Sequence, residues 1–151
     1  MAADAWVMHD KFKEYMGDAT VDLDADDFKM ALYLSTSDIA TTSLDAYGTP
    51  TNEVAQNFGY LTGGKAITTP TWIESSGTVT FKCDNVVWTA AGGSITARFA
   101  AIYDDTVAAP VAKPIMVHSL LENPAADVTA TDGNTFTVAI NASGVFTLAN
   151  A

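Results

Sequence analysis

The runs NVVWTAAGGSITARFAAIYDD, residues 85–105, and FKMALYLS, residues 28–35, decide the fold. In both, apolar and polar side chains tend to alternate, the pattern of half-buried antiparallel strands. No catalytic constellation lies in or beside them. Working outward, strand patterns recur at Ala66–Thr69, Thr71–Glu74, Thr78–Lys82, Val86–Trp88 and Ser94–Tyr103. Four more follow at Ile115–Leu121, Asp127–Thr131, Thr135–Asn141 and Val145–Leu148. Turn residues separate many of them: Ser75-Ser76-Gly77, Gly92-Gly93, Asn123-Pro124, Asp132-Gly133-Asn134 and Ser143-Gly144. Asp-Gly between alternating runs is a strong short-range hairpin signal.

Upstream, Met8, Phe12 and Tyr15/Met16 fall at helical spacing within residues 6–16, with Asp4 as the available N-cap and Gly17 as a stop. A helix this short needs tertiary contacts to persist, so Ala2–Met16, within the N-terminal arm 1–17, is expected to pack across a subunit or shell boundary. Residues 21–26 alternate Val21, Leu23, Ala25 against Asp22, Asp24, Asp26 and predict a strand that turns at Asp26-Asp27. Residues 36–64 are the least patterned and read as a long excursion, in which Asn52–Phe58 offers a helical turn. A loop this long is usually functional or ordered on a partner. Together these elements predict one all-β domain over 1–151. Its expected form is an antiparallel β-sandwich or a barrel-like, jelly-roll-like fold, with one short N-terminal helix and a long loop.

Composition narrows the partners. The 151 residues carry 18 acidic and 7 basic side chains, a formal net charge of −11. Such a surface is repelled by phosphate backbones and anionic membranes, so neither direct nucleic-acid binding nor membrane binding is expected. Charged residues are only 17 % of the chain, against roughly 25 % in average soluble proteins, and threonine and serine supply much of the remaining polarity. Cys83 is the only cysteine, which excludes an intrachain disulfide. The first residues lack the basic start and apolar core of a signal peptide, and no apolar run approaches the ~20 residues of a membrane helix.

Each candidate for chemistry has a plainer reading. Counted from Asp22 as an EF-hand loop, the sixth position should be Gly and the twelfth Glu, yet Asp27 and Tyr33 stand there. A solvated strand face is expected instead. His9 and His118 have no His or Cys at ligand spacing, and His118 reads as an ordinary polar strand position. Gly59–Lys65, GYLTGGK, meets a phosphate-loop spacing, but Ala66 replaces the magnesium-binding hydroxyl, and residues 67–74 carry Pro70 and β-branched side chains instead of opening a helix. Cys83 reads as half-buried and structural, and Arg98 as half of a surface salt bridge. Trp88 reads as core. No catalytic, cofactor or metal residue is therefore assigned, and no enzymatic activity is expected. The candidates for an interface are Trp6, Phe12, Tyr15, Tyr60 and Trp72.

Several short motifs run in order along the chain: Lys11-Phe12-Lys13 with Gly17, Asp22-Leu23-Asp24 leading into Phe28-Lys29-Met30-Ala31-Leu32, and Gly59–Lys65. Asp84–Trp88, Thr96-Ala97-Arg98 with Ala101-Ile102-Tyr103, and Gly144–Leu148 follow. In this order the chain resembles small virion structural proteins of tailed bacteriophages, of the capsid cement or decoration type. The resemblance implies a β-sandwich-like homo-oligomer, made in the bacterial host cytoplasm, that binds the major capsid protein on the outer capsid surface and stabilises the shell. Related sequences also occur among tail and adaptor components. A carbohydrate- or receptor-binding module using Trp72 and Tyr60 beside Asp or Asn stays open, as does a small hydrolase using His118 with a distant carboxylate.

Overall fold

The computed structural model describes residues 3–150 of the chain. It is an all-β, sandwich-like protein whose strands pair only in antiparallel fashion. The central sheet has five strands: β1 (Val7–Met8), β2 (Phe28–Tyr33), β3 (Lys65–Ala66), β8 (Phe99–Asp104) and β9 (Ile115–Leu120), in the order β1-β9-β8-β2-β3. A three-stranded sheet joins β4 (Thr71–Ser75), β5 (Thr78–Lys82) and β12 (Phe146–Ala149) in the order β12-β5-β4. Two ribbons complete the fold: β6 (Val86–Thr89) with β11 (Thr135–Val138), and β7 (Ile95–Ala97) with β10 (Val128–Ala130).

The central strands are buried on both faces, where alternation had suggested one. Phe28, Met30, Leu32, Ala100 and Ile102 enter the main core. Ala31, Tyr33, Ala101 and Tyr103 point the other way, into a second cluster with Ile39 and Ile115. The excursion 36–64 supplies Ile39, Leu44 and Tyr47 to that cluster and so acts as the cover of the second face. Strands buried on both faces read as nearly continuous apolar runs, which is what Phe28–Tyr33 is once Lys29 is set aside.

Several sequence expectations give way to tertiary pairing. The helix α1 runs Asp10–Gly17, capped by His9 in extended backbone without a side-chain cap, rather than from Asp4. The reason is that Val7 and Met8 pair with His118 and Val117 on β9, so the chain can coil only after leaving the sheet edge. Residues 21–26 form turns, not a strand. Asp22 and Asp26 hydrogen-bond local backbone, Asp24 N–H to Asp22 Oδ1 and Asp22 N–H to Asp26 Oδ2, which competes with ladder formation. Val21 and Leu23 are nonetheless buried.

The expected strand Ser94–Tyr103 breaks at Arg98. Before it, β7 pairs with β10; after it, β8 pairs with β2 and β9. Asp132-Gly133 turns no hairpin, because β10 and β11 belong to different ribbons. Its turn is tied instead to the neighbouring glycine turn, Gly92 N–H donating to Asp132 Oδ1 and Gly133 N–H to the Ala90 carbonyl. Asn52–Phe58 contains no helical turn; Glu53 bridges to Tyr33, and Val54 N–H donates to the Leu32 carbonyl, so this segment extends β2's edge beyond β3.

Gly64 is where the excursion rejoins the sheet. Its φ is +74°, and an added Cβ would collide with the Met30 carbonyl of β2. Gly133 has a similar φ, +80°, with open space around it. Gly64→Ala is therefore expected to cost about 3 kcal/mol, and Gly133→Ala about 1 kcal/mol, in urea unfolding. Equal losses at the two positions would show that backbone conformation alone, without the collision, sets the penalty.

Candidate functional site

Glu53 is the polar centre of the covered face. Its carboxylate accepts the Tyr47 hydroxyl at 2.6 Å, the Tyr60 hydroxyl at 2.6 Å and the Gly63 N–H at 2.7 Å. Tyr60 in turn accepts Leu32 N–H at 3.0 Å, satisfying a donor on β2. Tyr103 donates to the Gly63 carbonyl at 2.8 Å and stacks on Tyr47 with ring centroids 4.3 Å apart. Burial, then the Glu53 carboxylate, hold the Tyr47 and Tyr60 phenols above their ordinary pKa, so both remain donors. The network fastens the excursion to β2. Tyr60 is therefore interior, 1 % exposed, and not an interface or glycan-stacking side chain.

The two histidines meet in space although far apart in sequence. His9 Nδ1 lies 2.7 Å from the Leu44 carbonyl, and His9 Nε2 lies 3.0 Å from His118 Nδ1. A carbonyl can only accept, so His9 carries its proton on Nδ1, its Nε2 accepts, and His118 donates from Nδ1. Both rings are held neutral. Burial lowers the His9 pKa against the opposing pull of Leu44 and Asp10, while burial and then His9 lower His118 to about 4. His118 is thus a buried tie between β9, the N-terminal arm and the excursion, rather than an ordinary polar strand position. Its ring partner is a histidine, not a carboxylate.

The N-terminal arm belongs to its own domain. Phe12 is fully buried and meets Phe146 edge-on at 5.5 Å; Phe146 stacks on Phe81 and tilts against Trp72. Tyr15 is also buried. Phe12 and Tyr15 therefore leave the set of interface candidates, whereas Trp6 and Trp72, half-buried against the core, keep some surface. The helix finds its tertiary contacts within its own chain, through Phe12 on Phe146 of β12 and through β9, so packing across a subunit is not needed.

The remaining candidates have plain roles. Lys65 Nζ donates to the Val87 carbonyl, and the Gly59–Lys65 run is a turn entering β3. Arg98 pairs with Asp127 at 2.8 Å. Cys83 is half-buried, its thiol pushed up to about 12 by burial. Among the described residues no three His, Cys, Asp or Glu side chains group as a metal set.

What the surface offers is a sheet. One face of β12-β5-β4 carries Trp72, Phe81 and Phe146 inward. The other carries Ile73, 61 % exposed, beside Thr80 and Thr147, with Lys82 as its charge. Within the described residues β4 and β12 each pair on one side only, leaving backbone donors and acceptors free. A groove of about 600 Å³ flanks this sheet, lined by Asp4, Trp6 and Met8 on one bank and Asn141, Ser143 and Thr147 on the other. Comparison with protein families, characterised proteins and solved structures finds no match to this chain, so the functional reading rests on its own residues.

Two outcomes are expected. Glu53→Gln removes one acceptor oxygen from a site holding three donors and should destabilise by roughly 2 kcal/mol; Tyr47→Phe should cost about 1 kcal/mol, and the double variant less than the sum, as read by urea unfolding. Because the His9 and His118 pKa values are lowered on folding, the unfolded chain binds more protons below its ordinary imidazole pKa of 6.5. The histidine contribution to stability should fall as pH drops from 6.5 towards 4, so the difference in stability between wild type and His118→Gln should shift with pH over that range.

Proposed function

We propose that this chain is a virion structural protein that binds the outer surface of an assembled phage capsid and stabilises it, as cement or decoration proteins do. The observation that carries the reading is the open β12-β5-β4 face. On a protein of net charge −11 it is a nearly uncharged, threonine-lined sheet with an exposed isoleucine and unpaired edges. An acidic protein approaches a large surface at lowest cost through such a face, because no carboxylate has to be stripped of water there. Supporting it, the buried titratable groups described above are engaged with one another and hold the chain together. In this reading the partners are the major capsid protein and further copies of the chain, and a symmetric shell multiplies one modest interface many times. Attachment to the tail or an adaptor would use the same chemistry at few positions.

A second reading is favoured by the groove. Trp6 beside Asp4, Asn141 and Ser143 combines an aromatic surface with hydrogen-bonding groups, the combination that suits a carbohydrate.

Particles lacking the protein should release their genome at a lower temperature than complete ones, and adding purified protein back should restore the midpoint. Ile73→Asp should lower occupancy at least tenfold while leaving the fold intact, since it places a charge at the centre of the contact. Equal stability with and without the protein would reject the cement role. Few copies confined to the tail would select the adaptor, and retention on a glycan array abolished by Trp6→Ala would select the groove.

A further inference from the structure

Asp104 ends β8 fully buried, 0 % exposed. Its Oδ1 is satisfied twice, by Thr106 N–H at 2.7 Å and Val107 N–H at 3.1 Å. Its Oδ2 is buried and has no donor. Phe28 pairs with Asp104 and Asp27 N–H donates to Thr106 Oγ1, which brings another carboxyl, Asp26 of the turn preceding β2, to the same corner. Asp26 Oδ2 is itself occupied by Asp22 N–H at 2.8 Å. The nearby cations are engaged elsewhere: Lys29 of β2 and Lys113 of the following loop both hold Asp105, at 2.9 and 2.7 Å. Two facing carboxylates with neither a donor nor a cation between them are mutually repulsive, and the buried one bears the desolvation cost as well. A proton between them turns the repulsion into a hydrogen bond and gives the orphan oxygen its partner.

We propose that Asp104 holds a proton on Oδ2 and donates it to the Asp26 carboxylate, and that this hydrogen bond is a latch joining the turn 18–27 to the corner 104–107. The segments it joins are otherwise linked by Asp27 N–H to Thr106 Oγ1 and Asp105 N–H to the Asp27 carbonyl, both at 2.8 Å. Loss of the proton sets two negative charges face to face at that seam and loosens it, whatever surface the protein occupies. In agreement, burial and then the Asp26 carboxyl, against the two backbone donors, push Asp104 up to about 7. A carboxyl raised on folding contributes stability that is complete below its ordinary pKa of 3.8 and is lost as pH rises through 7.

Asparagine is the discriminating substitution on either side. In Asp26→Asn the new amide donates to Asp104 Oδ2 while its oxygen still accepts Asp22 N–H. In Asp104→Asn the oxygen still takes Thr106 and Val107, and the amide faces Asp26. Either variant replaces a titratable hydrogen bond by a permanent one. Relative to wild type, their folding equilibrium constants should rise by roughly tenfold between about pH 5.5 and about pH 8. Comparing variant with wild type cancels the histidine contribution, which runs in the opposite direction. Infrared difference spectra of the native protein near pH 6 should show a carboxylic-acid carbonyl band that both variants lose. Amides of Asp22 and Asp27, corrected for intrinsic rate, should exchange faster in wild type than in either variant at about pH 8. Absence of the acid band, or a stability gap that does not change with pH, would overturn the proposal. So would closure of the gap by added calcium at about pH 8, which would assign the pair to a cation instead.

Discussion

The structure depends on covering the second face of its central sheet. β2 and β8 are apolar on both sides, and a strand pair of that kind in a five-stranded sheet needs two layers against it. The other sheets provide one layer. The second is a stretch of chain with little regular structure of its own, and irregular backbone laid on an apolar surface carries unpaired N–H and carbonyl groups into it. Glu53 resolves that conflict. One carboxylate gathers two tyrosine hydroxyls and a backbone amide, and one of those tyrosines passes the connection to a β2 amide. The tyrosines serve both requirements, since their rings fill the cluster and their hydroxyls satisfy the loop.

The same arrangement recurs at the edges. His9 and His118 tie the arm to β9 and to the Leu44 carbonyl. Asp104 closes the corner after β8 through two backbone amides. In each place a polar side chain sits where separate segments meet, and its partners include a backbone group outside the regular ladders. Buried polar groups thus mark the seams of this fold, while the sheet β12-β5-β4 leaves one face open.

How much of this could be read from the sequence follows from the range of each interaction. The strand pattern from Thr71 onward was legible because period-two burial is local, and the turn at Ser76-Gly77 does join β4 to β5. The excursion was legible as a loop, but not as a cover, because Ile39 and Tyr47 acquire meaning only against Tyr33 and Tyr103. Phe28–Tyr33 held the clue in its near-unbroken apolar character. Asp22, Asp24 and Asp26 imitated a strand face because alternating burial at Val21 and Leu23 arises equally from successive turns. The histidine pair and the Asp26–Asp104 contact join residues remote in sequence, and no spacing rule reaches that far. Nothing local marks Tyr60 and Phe12 as interior to their own domain, because a large ring in a polar context carries no sign of which way it faces.

The pairing order also sets a sequence of events in time. β2 joins β8 across residues 34–98, β1 joins β9 from the opposite end of the chain, and β12 returns to β5. Such closures are slow, because chain entropy is lost before any contact compensates for it. The hairpin β4–β5 needs only its two-residue turn and forms on the microsecond scale typical of hairpins. The exposed sheet is therefore begun by the part of the chain that can organise earliest, and its last strand, β12, arrives from the far end. Until it does, Phe81 and Trp72 lack their Phe146 partner. A nascent chain would hold an apolar hairpin open while the rest is made, which makes the rate of synthesis, as much as final stability, a determinant of how much protein reaches its folded form.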